Sequence, residues 1–131
     1  MIFASDLDRT LIYSKRFIGD MCKDDLVAVE TNNNKVTSFM TRESLDLLKE
    51  IASNVMLVPI TTRTKDQYLR INIFEEEISN KYAVTTNGGS IFIDRKLDTD
   101  WDTMIKEKLK DCEDIEKELQ ESAETHKQVK N

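Results

Sequence analysis

Two aspartates near the start of the chain have the type and spacing that phosphate chemistry uses. Asp6 and Asp8 follow the short apolar run 2–5 and are separated by one residue. Like charges beside the desolvated end of a buried strand repel each other, so the pair needs a compensating positive charge. A magnesium ion would supply it, because Mg²⁺ prefers hard oxygen ligands and in turn neutralises a phosphate.

Two more polar segments also follow apolar runs. Residues 61–63 come directly after 55–60, and the pair Asn87–Gly88 comes directly after 82–86. Ligands of open α/β sheets bind at the carboxyl ends of the strands. We therefore expect these two segments and the aspartate pair to converge in one shallow cleft.

The elements that must position these side chains begin with a strand, a hairpin and a helix. The brevity of the apolar run 2–5 favours a buried strand. The Asn-rich turn 31–34 separates the β-type runs 27–30 and 35–40, which predicts a hairpin. Thr41 then caps a helix whose apolar residues recur on one face, and that face needs a sheet to cover.

The second part of the chain continues the alternation of strands and helices. Residues 55–61 are apolar without alternation, as in a strand covered on both faces. A helix carrying residues 68–74 follows, then a strand at 82–86 and a tight turn into 90–93. This order predicts an α/β fold with a doubly wound, Rossmann-like parallel sheet, a β-hairpin flap and a long C-terminal helix.

Composition excludes several classes of protein. The chain has 131 residues and a net charge of −6, with no basic stripe, so nucleic acid is a poor partner. Its apolar runs are far shorter than the roughly 20 residues of a membrane helix, so no membrane partner is expected. Cys22 and Cys112 lack metal-type spacing. The start of the chain lacks a secretory signal, which predicts a cytoplasmic location.

Three segments together resemble the haloacid dehalogenase superfamily. Residues 3–11 resemble its first motif, Asp-x-Asp-x-Thr after an apolar strand, and 60–63 resemble the second, a Thr or Ser that closes the next strand. Residues 84–91 are similar to the strand-to-hairpin segment of the branch that includes sucrose-phosphate phosphatases and Cof-type hydrolases. The three motifs occur in family order between Ile2 and about Ile93, which makes the match specific.

The resemblance implies a Mg²⁺-dependent phosphatase of small, sugar-phosphate-like esters, and a role for each residue. Asp6 would be the nucleophile that forms an aspartyl-phosphate, and Asp8 the general acid and then the base. Mg²⁺ would be held by the side chain of Asp6 and the backbone carbonyl of Asp8. The hydroxyl of Thr61 and the amide of Thr62 would bind the phosphoryl oxygens, and Arg63 belongs to the same phosphate-binding set.

Simpler interpretations of the same residues exist. Asp6 and Asp8 could form a turn or a helix cap, and Thr61 could merely end a strand. Three motifs in order favour the catalytic interpretation. The apolar residues at helical spacing between Trp101 and Leu119 indicate a packing stripe, and His126 is expected to be solvated.

Two family motifs have no counterpart that we identify in this sequence: a phosphate-balancing Lys or Arg, and a pair of acids after a further strand. Residues 1–93 are therefore expected to form a partial core, and 94–131 the start of a helical cap region with a polar tail. Two functions remain open: a phosphatase completed by another segment or chain, and a catalytically incomplete module that is either a truncated product or a phosphate-binding protein. The partners expected are a small phosphorylated metabolite and either a second copy or a complementing segment, because the first strand would have an open edge.

Overall fold

The computed structural model describes the backbone of residues 1–130 and the side chains of 1–112 and 117–125. The chain forms one compact unit, Met1–Asp98, and a second that begins at Thr99, and it is a mixed α/β protein with small sheets. The strands are β1 (Ile2–Ser5), β2 (Tyr13–Ser14), β3 (Leu26–Asn32), β4 (Lys35–Thr41), β5 (Met56–Pro59), β6 (Tyr82–Thr85), β7 (Ser90–Ile93) and β8 (Lys96–Leu97). The helices are α1 (Arg42–Asn54), α2 (Lys65–Leu69), α3 (Ile73–Glu76) and α4 (Thr99–Lys130).

In the residues that the structure describes, parallel pairing is limited to a two-stranded sheet and two isolated bridges, where the sequence predicted a doubly wound sheet. Strand β1 pairs with β5 in parallel, and Ile60 makes a parallel bridge to Val84 beside β6. The amide of Ile60 donates to β1, whereas the amide of Thr61 donates to the β6 side. Alternate amides face opposite neighbours, so the missing N–H of Pro59 falls on the β6 side and interrupts that ladder.

The predicted hairpin is confirmed, and it contains an irregularity that the sequence did not indicate. Strands β3 and β4 pair antiparallel, and Asn33 and Asn34 form the turn with left-handed backbone (φ 52° and 63°). The register shifts on both sides of Glu30, which marks a β-bulge. In a regular strand, consecutive side chains point to opposite faces of the sheet. Here Val29 and Glu30 are consecutive and both buried, because the bulge turns one of the two side chains inward.

Helix α1 begins as predicted, but the next helix is split in two. The Thr41 hydroxyl accepts a hydrogen bond from the Ser44 amide at 3.1 Å, which caps α1. After Arg63, the sequence predicted one helix, and the structure has α2 and α3 instead. The break occurs because the Asn72 amide donates to the carbonyl of Val29 at 2.9 Å, so this segment pairs with the hairpin rather than continuing the helix.

The core of the first unit lies between α1, the hairpin and strands β5 to β7. Its largest fully buried side chain is Tyr68, whose ring lies 5.7 Å from that of Phe74 and 5.6 Å from that of Phe92. In the predicted packing stripe of α4, Leu109, Cys112 and Leu119 are exposed. The side chains of Ile115 and His126 lie outside the described residues. No helix in the described part of the chain is both long and apolar enough to cross a membrane.

Candidate functional site

The loop after β1 presents both aspartates at the surface around one buried anchor. Leu7 is fully buried, and its carbonyl accepts the amides of Leu11 and Ile12 at 2.9 and 3.0 Å. These bonds fold the loop back on itself, so Asp6 and Asp8, on either side of the anchor, are both exposed. The sequence pattern of one apolar residue between two acids thus fixes which side chains point inward and which remain accessible.

One residue of this loop has a left-handed backbone. The φ of Arg9 is +60°, in the region that Gly adopts easily and other residues adopt rarely. The guanidinium carbon of Arg9 lies 5.4 Å from the centre of the Phe17 ring. This cation–π contact offsets part of the cost of the left-handed backbone.

The segment after β5 is bound to the end of β6. The Thr61 amide donates to the carbonyl of Val84 at 2.9 Å, and the Thr86 amide donates to the carbonyl of Arg63 at 2.7 Å. The amide of Asn87 also donates to the carbonyl of Thr61, at 3.2 Å. Since β1 lies on the other side of β5, the carboxyl ends of the three strands are neighbours.

The Thr61 hydroxyl is held by a hydrogen bond within its own segment. Its side chain is buried, and its Oγ1 accepts the Arg63 amide at 3.0 Å. This bond uses the oxygen as an acceptor, and a hydroxyl keeps one hydrogen to donate. The neighbouring residue Thr62 is exposed.

Arg63 is the centre of the charged network at this site. Its Nε and Nη2 donate to the two carboxylate oxygens of Asp8, each at 2.8 Å, in a bidentate pair. Its Nη1 donates to Oε2 of Glu30 at 2.6 Å and to the carbonyl of Gln67 at 3.1 Å. Burial by itself would lower the pKa of Arg63. The hydrogen bonds to Asp8 and Glu30 have the larger combined effect, so the pKa of Arg63 is raised above its ordinary value.

Glu30 is a functional-site candidate that sequence reasoning missed. It is 3% exposed, and its carboxylate also accepts the Ser38 hydroxyl at 2.6 Å and Nε of Arg70 at 3.2 Å. Burial favours the neutral acid, but the hydrogen bonds from Arg63 and Ser38 and the charge of Arg63 outweigh it and lower the pKa of Glu30 to about 2. The available signal was one acid at the end of the apolar run 27–29.

A polar cleft of about 380 Å³ opens beside this network. Its walls come from the hairpin, β2, the loop that carries Asp8 and the segment 62–70. Every lining residue is polar or charged: Asp8, Ser14, Glu30, Asn32, Thr37, Ser38, Thr62, Arg63, Gln67 and Arg70. Three of the predicted site residues, Asp8, Thr62 and Arg63, therefore share one cleft. Asp6 and Thr61 do not line it; Asp6 is exposed on its loop, and Thr61 is buried, with its hydroxyl bound to the Arg63 amide.

The oxygen atoms at this site could bind Mg²⁺ only if water molecules supplied most of its ligands. The part of the chain that the structure describes contains no group of three acidic, His or Cys side chains placed to hold a metal. The Asp8 carboxylate is occupied by Arg63, whereas Asp6 is exposed. Proteins commonly bind Mg²⁺ through one or two carboxylates, with waters and substrate phosphates as the other ligands, and the Asp6 carboxylate with the Asp8 carbonyl fits that pattern.

Comparison with known proteins adds no relative. No protein-family model matches the chain, and no curated protein matches it. The resemblance to the haloacid dehalogenase superfamily therefore depends on the three sequence motifs alone, and it stays a prediction.

Proposed function

We propose that the chain belongs to the haloacid dehalogenase superfamily and that its Met1–Asp98 unit binds a phosphate monoester and transfers the phosphoryl group to Asp6. The observation that carries the proposal is the adjacency of the carboxyl ends of β1, β5 and β6, which brings the Asp6–Asp8 loop beside the segment 61–63. A nucleophile, a proton carrier and phosphate-binding groups are all needed within a few ångströms of one phosphorus atom. The three motif segments supply these groups at neighbouring strand ends.

The proposed reaction has two steps. A carboxylate oxygen of Asp6 attacks phosphorus in line, the bond to the ester oxygen breaks, and Asp8 gives that oxygen a proton. Water then attacks the phosphorus of the aspartyl-phosphate, Asp8 takes up a proton of that water, and the P–O bond to Asp6 breaks, so that inorganic phosphate leaves and the Asp6 carboxylate is restored. The Thr61 hydroxyl, the Thr62 amide and the Arg63 guanidinium would donate to the phosphoryl oxygens. Mg²⁺, held by the Asp6 carboxylate and the Asp8 carbonyl, would neutralise phosphoryl charge.

The cleft beside Arg63 supports a hydroxyl-rich leaving group. Its lining is polar throughout, with hydroxyl and amide side chains from the hairpin and from α2. Such groups can pair with the hydroxyls of a sugar or polyol, whereas an aromatic or alkyl group would leave them unsatisfied. A sugar phosphate or polyol phosphate is thus the substrate class that we propose.

A second function, phosphate binding without turnover, is favoured by one observation. Both carboxylate oxygens of Asp8 accept hydrogen bonds from Arg63, so neither oxygen is free to carry a proton to the leaving group while this pair persists. A chain that stays in this state could bind a phosphate ester but could not protonate the leaving oxygen.

Phosphate release from glucose 6-phosphate, with Mg²⁺ present, distinguishes the two functions. A phosphatase releases phosphate, and Asp6→Asn lowers the rate by about a thousandfold or more, because an amide cannot attack phosphorus. Glu75→Gln is a matched control, since Glu75 is an exposed acid far from these strand ends in sequence, with one long contact to Arg95 of 3.8 Å. Saturable binding of the ester without release supports the binding module, and the absence of both binding and release refutes both functions.

A further inference from the structure

Arg63 holds two carboxylates at once, and they differ sharply in accessibility. The side chain of Glu30 is 3% exposed, and that of Asp8 is 48% exposed. Nη2 contacts both acids, at 2.8 Å for Asp8 and 3.1 Å for Glu30. The guanidinium thus has one contact on the buried hairpin side and one on the open side of the cleft.

The buried contact is the permanent one. Glu30 is held by the Ser38 hydroxyl and by Arg70 as well as by Arg63, and the β-bulge aims it inward. A buried carboxylate that loses its cation becomes an uncompensated charge, which is among the largest single losses in a folded protein. Arg63 therefore cannot leave Glu30 without a large cost.

The open contact can be exchanged. In the described residues, Arg63 is the partner found for the Asp8 carboxylate, and this acid is half exposed, so an incoming anion can reach the pair from solvent. A phosphoryl group presents the same two-oxygen edge to the guanidinium as a carboxylate does, with more negative charge. The position of the Asp8 carboxylate therefore marks where a phosphoryl edge can bind.

We propose that Arg63 exchanges Asp8 for the phosphoryl oxygens of the substrate while it keeps Glu30, so that Glu30 is the positioning residue of the phosphate site. The hydrogen bonds from Nε and Nη2 pass from Asp8 to two phosphoryl oxygens, and no covalent bond changes. The released Asp8 side chain is then free to turn toward the leaving oxygen. This inference rests on the proposed function and explains how the resting ion pair is compatible with it.

A titration of the intact chain with inorganic phosphate, followed by NMR at constant ionic strength, tests the exchange. The Nε–H resonance of Arg63 and the carboxyl carbon of Asp8 should shift together with one dissociation constant. The carboxyl carbon of Glu30 should stay almost unchanged. Phosphate binding reported by the amides of Thr61 and Thr62, with the Arg63 and Asp8 resonances unmoved, would overturn the exchange and leave the proposed function standing. No binding at all would overturn both.

Variants separate positioning from folding. Glu30→Gln should raise the dissociation constant for phosphate about tenfold or more and raise KM more than it lowers kcat, and Glu30→Asp should recover part of the affinity. Glu75→Gln should change neither value. If Glu30→Gln does not fold, Ser38→Ala removes one hydrogen bond and keeps the charge, and it should weaken phosphate about two- to threefold. A folded Glu30→Gln, or a Ser38→Ala in its place, with wild-type affinity would overturn the role of Glu30.

Discussion

Replacement of Glu30 by Gln should destabilise the first unit by about 3 kcal/mol at neutral pH. Glu30 is 3% exposed, and its pKa is lowered from an ordinary 4.5 to about 2, which is equivalent to about 3 kcal/mol at 1.36 kcal/mol per unit. Removal of one partner of a buried ion pair costs roughly 3–5 kcal/mol. Because Arg63 keeps Asp8 and the carbonyl of Gln67, we expect the lower end of that range.

The pH dependence of this loss has a definite sign. A carboxyl whose pKa is lower in the folded state contributes stability that is complete above its unfolded pKa and is lost as pH falls through the folded value. The difference between wild type and Glu30→Gln should therefore be largest above about pH 5. The difference should shrink steadily as the pH falls from 4.5, the ordinary pKa of the carboxyl, to about 2, its pKa in the folded wild type.

The free energy of unfolding of the Met1–Asp98 unit can be measured by urea unfolding, followed through the NMR intensities of amides in β3 and β4. These amides do not report on α4. Glu75→Gln should cost less than about 0.5 kcal/mol at every pH, because a surface pair contributes little. A Glu30→Gln loss below about 1 kcal/mol at pH 7, or a loss that is equal at pH 7 and pH 2.5, would refute the charged, buried role that we assign to Glu30.

Three further predictions concern a cap, a turn and the aspartate pair. Thr41→Ala should cost about 1 kcal/mol in the same urea assay, whereas Thr41→Ser keeps the capping oxygen; equal losses would contradict the cap at 3.1 Å. Asn34→Gly should stabilise the hairpin by up to about 1 kcal/mol, seen as a higher midpoint, since residue 34 has a φ of 63°. Asp6→Asn and Asp8→Asn should each abolish the phosphate release of an active protein, without additivity, and turnover of Asp6→Asn within about tenfold of wild type would exclude the covalent step.

Local signals in the sequence were sufficient for the elements near the site. The apolar run ending at Asp6 is the strand β1, but the prediction that this strand is buried is wrong, because Ile2, Phe3 and Ala4 are exposed. The Asn-rich turn forms the hairpin, and the Thr41 hydroxyl caps α1. Each of these depends on residues within a few positions of one another. The prediction that polar segments follow strand ends depends on the same short-range information.

The features that sequence reasoning missed all depend on contacts between distant segments. The burial of Glu30 depends on a shifted register in β3, and its place in the charged network depends on the ion pair with Arg63, which is distant in sequence. The split between α2 and α3 depends on the pairing of Asn72 with Val29. The missing N–H of Pro59 is visible in the sequence. Whether it removes a hydrogen bond to β1 or to β6 depends on how the strands pair, which the sequence does not show.

The most direct test of the central claim, that Asp6 accepts a phosphoryl group, is ¹⁹F NMR of the chain with beryllium fluoride and Mg²⁺. Trifluoroberyllate coordinates a carboxylate oxygen and mimics an aspartyl-phosphate, so it reports the competence of Asp6 whether or not turnover follows. We predict bound ¹⁹F resonances in wild type and in Asp46→Asn, which changes an exposed aspartate of α1, and none in Asp6→Asn. Absence of bound resonances in wild type, or their persistence in Asp6→Asn, would contradict the assignment of Asp6 as the nucleophile.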